Sequence, residues 1–154
     1  MFKLSRMLLV ALAAVALIAA GCGGDTEEKN DYVDQVNTAQ TEFADQVTKL
    51  SSAITSASSD SADQETIKSY QTAVDGVVKD LEGITPPEDV QAEHQQLVDA
   101  MSAYGESVGS ALEDLQGGSP EDRLKADTEL QQASTTAGTQ INQAIEAINK
   151  KLQE

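Results

Sequence analysis

The spacing of the apolar residues constrains this chain most, because from residue 26 onward they recur every three or four positions. That spacing lines up apolar side chains along one face of an α-helix, whereas a half-buried β-strand requires strict alternation. In the first long segment the stripe consists of Val36, Ala39, Phe43, Val47, Leu50, Ile54 and Ala57. No segment alternates as a strand would, so the sequence predicts an all-α fold.

Four such segments are separated by short runs rich in Gly, Pro and Ser. We predict helices that span approximately Thr26–Asp31 to Ala57, Ala62–Gly83, Pro86–Gln116 and Pro120–Leu152. Because the connections are only a few residues long, helices that follow each other must run antiparallel. The expected fold is an up-down-up-down antiparallel four-helix bundle over residues 26–154, and the alternative is a three-helix coil with a detached fourth helix.

The predicted core is formed by the apolar stripes of these four helices. In the second to fourth helices the stripes contain Ile67, Tyr70, Val74, Val77, Leu81, Ile84, Val90, His94, Leu97, Met101, Tyr104, Val108, Ala111, Leu115, Leu130, Ala137, Ile141, Ala144, Ile145, Ile148 and Leu152. The fourth helix is the weakest, since residues 133–139 combine poor helix propensity with little core volume.

The starts of the predicted helices carry residues that satisfy the free N–H groups of a first turn. The segments 61–64 and 85–88 have the pattern of capping boxes, with Ser61 and Thr85 as the caps. Ser119 and Pro120 supply a cap and a first-turn proline for the fourth helix. These signals place the three later helix starts near Ala62, Pro86 and Pro120.

The first 24 residues differ in character from the rest of the chain. Lys3 and Arg6 are followed by the unbroken apolar run Met7–Ala20, which has 14 residues. As a helix the run spans about 21 Å, whereas the hydrocarbon core of a bilayer is about 30 Å thick. The run is therefore too short for a typical membrane span and is typical of a signal peptide.

The apolar run ends in Ala19-Ala20-Gly21-Cys22, which resembles the lipobox of bacterial lipoproteins, small residues before a cysteine. In that family the cysteine thiol receives a diacylglyceryl group, and a dedicated signal peptidase cleaves just before it. The resemblance implies a signal peptide over residues 1–21, a lipidated Cys22 with a short tether over residues 22–25, and an extracytoplasmic domain after it. The alternatives are an uncleaved signal anchor and a secreted form without lipid.

The charge of the chain is strongly acidic, with a formal net charge of −16, and all 26 acidic residues follow residue 21. Such a surface repels phosphate backbones, so we expect no nucleic-acid partner. It also repels anionic lipid headgroups, so attachment to the membrane has to come from the lipid on Cys22. The acids are spread along every helix, which is typical of a solvated surface.

The sequence offers few residues for chemistry, with one histidine and one cysteine in the whole chain. A His-Glu-x-x-His zinc site needs two histidines on one helical face. The Glu-x-x-His half-motif of di-iron bundles is missing, because Gln91 stands three residues before His94. We therefore predict a protein that is not an enzyme and that has no cofactor and no metal site.

Three residues are candidates for ligand binding in the bundle interior. His94 lies on the stripe of the third helix, at about the level of Phe43, Val77 and Ile141. Tyr70 and Tyr104 lie nearly the same distance from the Pro86 turn, so we expect them at one level of the bundle. Each also has a purely structural interpretation. His94 would bond to a carbonyl or hydroxyl at the edge of the core, and the tyrosines would pack in the core with their hydroxyls hydrogen-bonded.

These observations predict a lipoprotein anchored to the cell membrane through Cys22 and facing the extracytoplasmic side. Its helical domain is expected to be a non-enzymatic interaction or accessory module of the cell envelope, with an envelope protein as its partner. The alternative is an extracytoplasmic protein that binds a small ligand or a metal cation through His94, Tyr70 and Tyr104.

Overall fold

The computed structural model describes residues 26–54, 60–117 and 119–154, and these ranges are almost entirely helical. They form four α-helices, α1 (Thr26–Ile54), α2 (Asp60–Glu82), α3 (Gln91–Gly117) and α4 (Pro120–Leu152), with a short 3-10 turn over Glu88–Val90 before α3. No β-strand occurs in the described ranges. The prediction of an all-α fold with four helices is confirmed.

Helices that follow each other in the chain pack against each other, α1 on α2, α2 on α3, and α3 on α4. Near its start, α3 meets the end of α2 through a hydrogen bond between His94 and the Leu81 carbonyl. The same part of α3 meets the end of α4 through an ion pair between Glu93 and Lys151. Tyr32, near the start of α1, also reaches His94. We call this region, where two helix starts and two helix ends meet, the His94 end of the molecule.

The core is one cluster of buried apolar side chains from all four helices. Every predicted stripe residue whose side chain the structure describes is buried. The stripes omitted six further core residues, namely Tyr32, Val33, Ala73, Val98, Ala100 and Ala126. Tyr32, Val33 and Ala126 extend the predicted stripes by three or four residues toward the helix starts. Ala73, Val98 and Ala100 lie beside the stripes, because a helix with several neighbours buries a wider face than a single seam. Six predicted positions lie outside the described side chains: Val47, Leu50, Ile54, Ala57, Ile67 and Leu115.

The start of α4 has the predicted cap. The Ser119 hydroxyl accepts a hydrogen bond from the backbone N–H of Asp122 at 3.1 Å, and the Asp122 carboxylate accepts one from the backbone N–H of Ser119 at 3.3 Å. Pro120 occupies the first turn, where its missing N–H costs nothing. The hydrogen bonds from Ser119 hold the pKa of Asp122 below its usual value. This reciprocal cap fixes where α4 begins.

The start of α3 differs from the prediction. Thr85 does not cap a helix that begins at Pro86. Instead Pro87 is extended, with φ −53° and ψ 150°, and precedes the 3-10 turn without a side-chain cap. A residue before a proline is driven out of the helical region, and here that residue is itself a proline, Pro86. The α-helix can therefore start only after the pair, at Gln91.

The remaining boundaries are close to the prediction where the structure describes them. The described part of α1 reaches Ile54, and its predicted end at Ala57 lies outside the described residues. α2 begins at Asp60, so Ser61 lies inside the helix and is not the residue that precedes it. The end of α2 was predicted within one residue, since Gly83 follows Glu82 and its N–H bonds to the carbonyls of Lys79 and Asp80.

α4 is continuous through the segment that was expected to be weak. Residues 133–139 are helical, and Thr135 and Thr139 donate their hydroxyls to the carbonyls four residues earlier. Ala137 is buried in the core, so the small residues of this segment still pack. None of the described helices has the length and apolar character needed to cross a membrane.

Candidate functional site

His94 lies at the centre of the His94 end and bonds to two other helices. Its side chain is buried, with 5% of its surface exposed. Its Nδ1 atom is 3.1 Å from the hydroxyl of Tyr32 on α1, and its Nε2 atom is 3.0 Å from the carbonyl oxygen of Leu81 on α2. The carbonyl and hydroxyl partners expected for a core histidine are both present.

The two partners determine the protonation of the imidazole ring. A carbonyl oxygen only accepts, so Nε2 must carry a hydrogen and donate it to Leu81. In the neutral ring Nδ1 is then the acceptor, and the Tyr32 hydroxyl donates to it. Burial lowers the pKa of His94 below 6.5, and the hydrogen bond to Leu81 opposes that change only in part. At neutral pH the folded protein therefore holds His94 in its neutral form.

Tyr32 is the member of this site that the sequence analysis missed. Phe43 was expected at the level of His94, and that expectation is wrong, because its ring packs against Tyr70 at 6.2 Å. The Tyr32 ring meets His94 edge-on, with centroids 5.6 Å apart. Tyr32 precedes Phe43 by about three helical turns on nearly the same face. It also lies four residues before Val36, a spacing that would have extended the stripe of α1 to it.

Two ion pairs flank the buried histidine. The Glu93 carboxylate contacts the Lys151 ammonium on α4 at 3.0 Å, and Lys29 on α1 contacts Asp89 at 3.4 Å. The hydrogen bond from Lys151 lowers the pKa of Glu93. Burial raises the pKa of Tyr32, and the charge of Glu93 raises it further. The first pair joins α3 to α4, and the second joins α1 to the 3-10 turn before α3.

A group of three or more His, Cys, Asp or Glu side chains arranged to hold a metal ion does not occur among the described residues. Glu93, which precedes His94 in the chain, directs one carboxylate oxygen at Lys151. Its second oxygen is buried and has no hydrogen-bond partner. The arrangement around His94 therefore consists of hydrogen bonds and ion pairs between helices.

Tyr70 and Tyr104 form a second polar contact inside the core, and they lie at one level, as predicted. Their hydroxyl oxygens are 2.9 Å apart, and their rings are perpendicular with centroids 6.0 Å apart. The Tyr104 hydroxyl also lies 3.3 Å from the Ser134 hydroxyl, in the thin segment of α4. Burial raises the pKa of both tyrosines. A role of this level in binding a small ligand stays a prediction.

Cys22, the predicted lipid acceptor, lies outside the described residues, as do the signal peptide over residues 1–21 and the tether over residues 22–25. The described chain begins at Thr26, which is four residues after Cys22. A lipid on Cys22 would therefore lie close in sequence to Tyr32 and the His94 end.

No protein-family model matches the sequence, and comparisons with curated proteins and with solved structures give no significant match.

Proposed function

We propose that this chain is a bacterial lipoprotein, anchored to the cell membrane by a lipid on Cys22, whose helical domain acts outside the cytoplasm as a non-enzymatic interaction module of the envelope. One observation carries the proposal, namely that a basic start and a 14-residue apolar run lead directly to Ala19-Ala20-Gly21-Cys22. Two or more acyl chains anchor a protein stably, since each buried CH₂ contributes about 0.8 kcal/mol.

We also infer that the four helices form an up-down-up-down antiparallel bundle. The contacts between α2 and α3 support this arrangement, because Leu81 near the end of α2 meets His94 near the start of α3. The ion pairs Glu93–Lys151 and Asp114–Lys125 join each end of α3 to the opposite end of α4. In this arrangement α1 packs along α2, and its start also reaches α3 through Tyr32.

The hydrogen bonds of the buried polar groups support an interaction role for the domain. Both ring nitrogens of His94 and the hydroxyls of Tyr32, Tyr70 and Tyr104 are engaged in hydrogen bonds that join helices. These groups therefore stabilise the bundle, and the exposed helical surface is left to make contact with a partner. The strongly acidic composition favours a partner with a basic or neutral surface.

The tether gives the domain a defined orientation in this proposal. Residues 22–25 are too few to hold the domain far from the bilayer, so the start of α1 and the His94 end face the membrane. α1 has 29 residues and at about 1.5 Å per residue extends about 43 Å. The end of α1 with the start of α2, and the end of α3 with the start of α4, then lie farthest from the membrane, where a partner would meet them first.

Lipid labelling in the native host tests the proposal. Cells are fed an alkyne fatty acid, and the full-length protein is captured and probed for the label in the membrane and soluble fractions. We expect the wild-type chain to be labelled and retained in the membrane, whereas Cys22→Ser loses both properties. Because Cys22 is the single cysteine of the chain, thiol-linked label has one available position.

Gly21→Ala is the matched control, because it keeps a small residue before Cys22 and should leave labelling and membrane retention intact. If the wild-type chain stays in the membrane fraction without label, the apolar run acts as an uncleaved anchor and the lipoprotein assignment is wrong. If the wild-type chain appears unlabelled in the medium, the secreted form without lipid is correct.

A further inference from the structure

The start of α1 buries Tyr32 and Val33 in the core and is also joined to the start of α3 by polar contacts. Within the described residues the close neighbour of α1 is α2, along which its backbone packs. Toward α3 its start is held by the Tyr32–His94 hydrogen bond, the edge-on contact of those two rings, and the Lys29–Asp89 ion pair. We propose that the Tyr32–His94 pair is a pH-sensitive latch, which fastens the start of α1 to α3 and releases it when His94 gains a proton.

The geometry of the hydrogen bonds explains why a proton would open this latch. In the closed form Nδ1 of His94 accepts a hydrogen from Tyr32, while Nε2 donates to Leu81. A second proton on the ring has to bind at Nδ1, where it points at the Tyr32 hydroxyl. The hydroxyl must then turn its own hydrogen away, and the ring carries a positive charge in an apolar surrounding. Both effects favour a form in which Tyr32 leaves and His94 is hydrated.

The groups around the latch leave His94 as its titrating member near neutral pH. From α1 it is faced by Tyr32, whose pKa is raised by burial and which stays protonated. α2 presents the Leu81 carbonyl, with the exposed acids Asp80 and Glu82 on either side in sequence. On α3 the neighbouring Glu93 is paired with Lys151 of α4.

The remaining charged pair lies between α1 and the 3-10 turn, where Lys29 contacts Asp89. The Asp89 side chain is exposed, so this ion pair contributes little stability on its own. Because the chain has a single histidine, a transition between about pH 6.5 and pH 5 reports on His94.

The sign of the effect follows from the lowered pKa of buried His94. The open form, with an ordinary histidine pKa of about 6.5, binds protons that the closed form excludes, so the closed form is favoured above that pH. As the pH falls below about 6.5, the ratio of open to closed form rises by up to tenfold per pH unit. Between about pH 7.5 and pH 5 the ratio therefore rises by at most about thirtyfold.

Hydrogen exchange and histidine NMR on the full chain test the latch. The protein is produced with ¹³C-labelled histidine and a histidine-free affinity tag and is kept in a mild nonionic detergent. The single ring signal gives the protonation of His94, and mass spectrometry gives the amide protection of residues 30–40 in α1. After correction for the intrinsic effect of pH, we expect this protection to fall by up to about thirtyfold between about pH 7.5 and pH 5, while α3 and α4 keep theirs.

Three variants separate the latch from general acid effects. His94→Gln keeps an amide that can donate to Leu81 but does not titrate, so the protection of α1 should be equal at the two pH values. Tyr32→Phe keeps the ring contact and loses the hydroxyl, so protection should already be reduced at about pH 7.5. Tyr70→Phe makes the same change at a buried tyrosine outside the latch and should leave the pH dependence as in the wild type.

The latch is overturned if His94 becomes protonated while α1 keeps its full protection, because the pair then rearranges without opening. It is equally overturned if His94→Gln shows the same loss of protection, since surface carboxylates would be its cause. If His94→Gln does not fold, Tyr32→Phe tests the latch. If α1 in Tyr32→Phe is protected as strongly as in the wild type at the higher pH, the hydrogen bond does not hold α1 and the latch is wrong.

Discussion

Tyr32, Tyr70, Tyr104 and His94 carry polar atoms into a core that is otherwise apolar, and each polar atom finds a partner there. A buried hydroxyl or ring nitrogen without a partner costs more than the net gain of one hydrogen bond. The four side chains therefore specify which helices meet at which level. His94 joins α1, α2 and α3, and Tyr104 joins α2, α3 and α4 through Tyr70 and Ser134.

Removing these hydroxyls should show that they act as a unit. Tyr104→Phe loses two hydrogen bonds and Tyr70→Phe one, so Tyr104→Phe should lower the free energy of unfolding more, by about 1–3 kcal/mol against about 1 kcal/mol. The double variant should cost less than the two single changes added together, because it leaves neither tyrosine hydroxyl without its partner. Urea unfolding of residues 22–154 carrying Cys22→Ser measures all three values, and strict additivity would contradict the coupling.

At the scale of secondary-structure elements, the helices gain stability from packing where their own sequence is weak. The middle of α4 has poor helix propensity, yet the helix is continuous because it lies against α3 along its length, with Ala137 buried and Ser134 bonded to Tyr104. Glycines also occur inside the helices, and they differ in the space around them. A methyl group added at Gly76 or Gly138 meets no atom within 4 Å, whereas one at Gly105 comes within 3.3 Å of Val74.

Alanine substitutions should separate these two kinds of glycine. Gly76→Ala and Gly138→Ala should each raise the free energy of unfolding by about 0.5–1 kcal/mol, because alanine loses less backbone entropy in a helix. The gain in helix stability should be larger at Gly138, because this residue lies in the middle of α4, where helix propensity is poor. Thermal and urea unfolding of the two variants measure the gain.

Gly105→Ala and Gly109→Ala are the matched controls. The new methyl group would meet the Val74 side chain at 3.3 Å in the first and the Gln71 amide at 3.0 Å in the second. We expect Gly105→Ala to gain less than the open positions or to lose stability, since Val74 is fully buried and cannot move freely. An equal gain at all four positions would mean that α2 and α3 do not approach as closely as the structure has them.

For the whole molecule, the dominant surface property is a formal net charge of −16. The acids repel one another in the folded state, while few bases are available to offset them. Lys125 contacts both Asp114 and Glu129, and Lys151 contacts Glu93, so some bases bridge acids on the helices. Because these bases bridge only a few of the 26 acids, we expect long-range repulsion between the acids to outweigh the ion pairs.

Salt should therefore stabilise the folded chain. At an ionic strength of about 0.15 M the Debye length is about 8 Å, which screens repulsion between distant acids. We expect the midpoint of thermal unfolding to rise between about 0.02 M and 0.2 M NaCl at about pH 7.5. Lys125→Gln, which removes a base that bridges two acids, should lower the midpoint more in low salt than in high salt. A midpoint that falls with added salt would show that ion pairs dominate over repulsion.

The number and approximate limits of the helices could be predicted from the sequence because they depend on local patterns. The spacing of apolar residues identified most of the described core positions between Val36 and Leu152, and the cap at Ser119 follows from the residues beside it. The level shared by Tyr70 and Tyr104 was also predictable, since both lie a fixed distance from one turn. At the start of α3, the local effect of Pro86 and Pro87 was underestimated.

Which residues meet across the bundle was decided by the tertiary structure. The partner of His94 is Tyr32 and not Phe43, because the pairing depends on how far α1 is displaced along α2, and an apolar stripe looks alike at every turn. The tautomer of His94 and the partner of Glu93 depend in the same way on atoms that lie far apart in the sequence. The sequence by itself determined four amphipathic helices, since helical periodicity is local, and only their packing decided which polar groups were buried together.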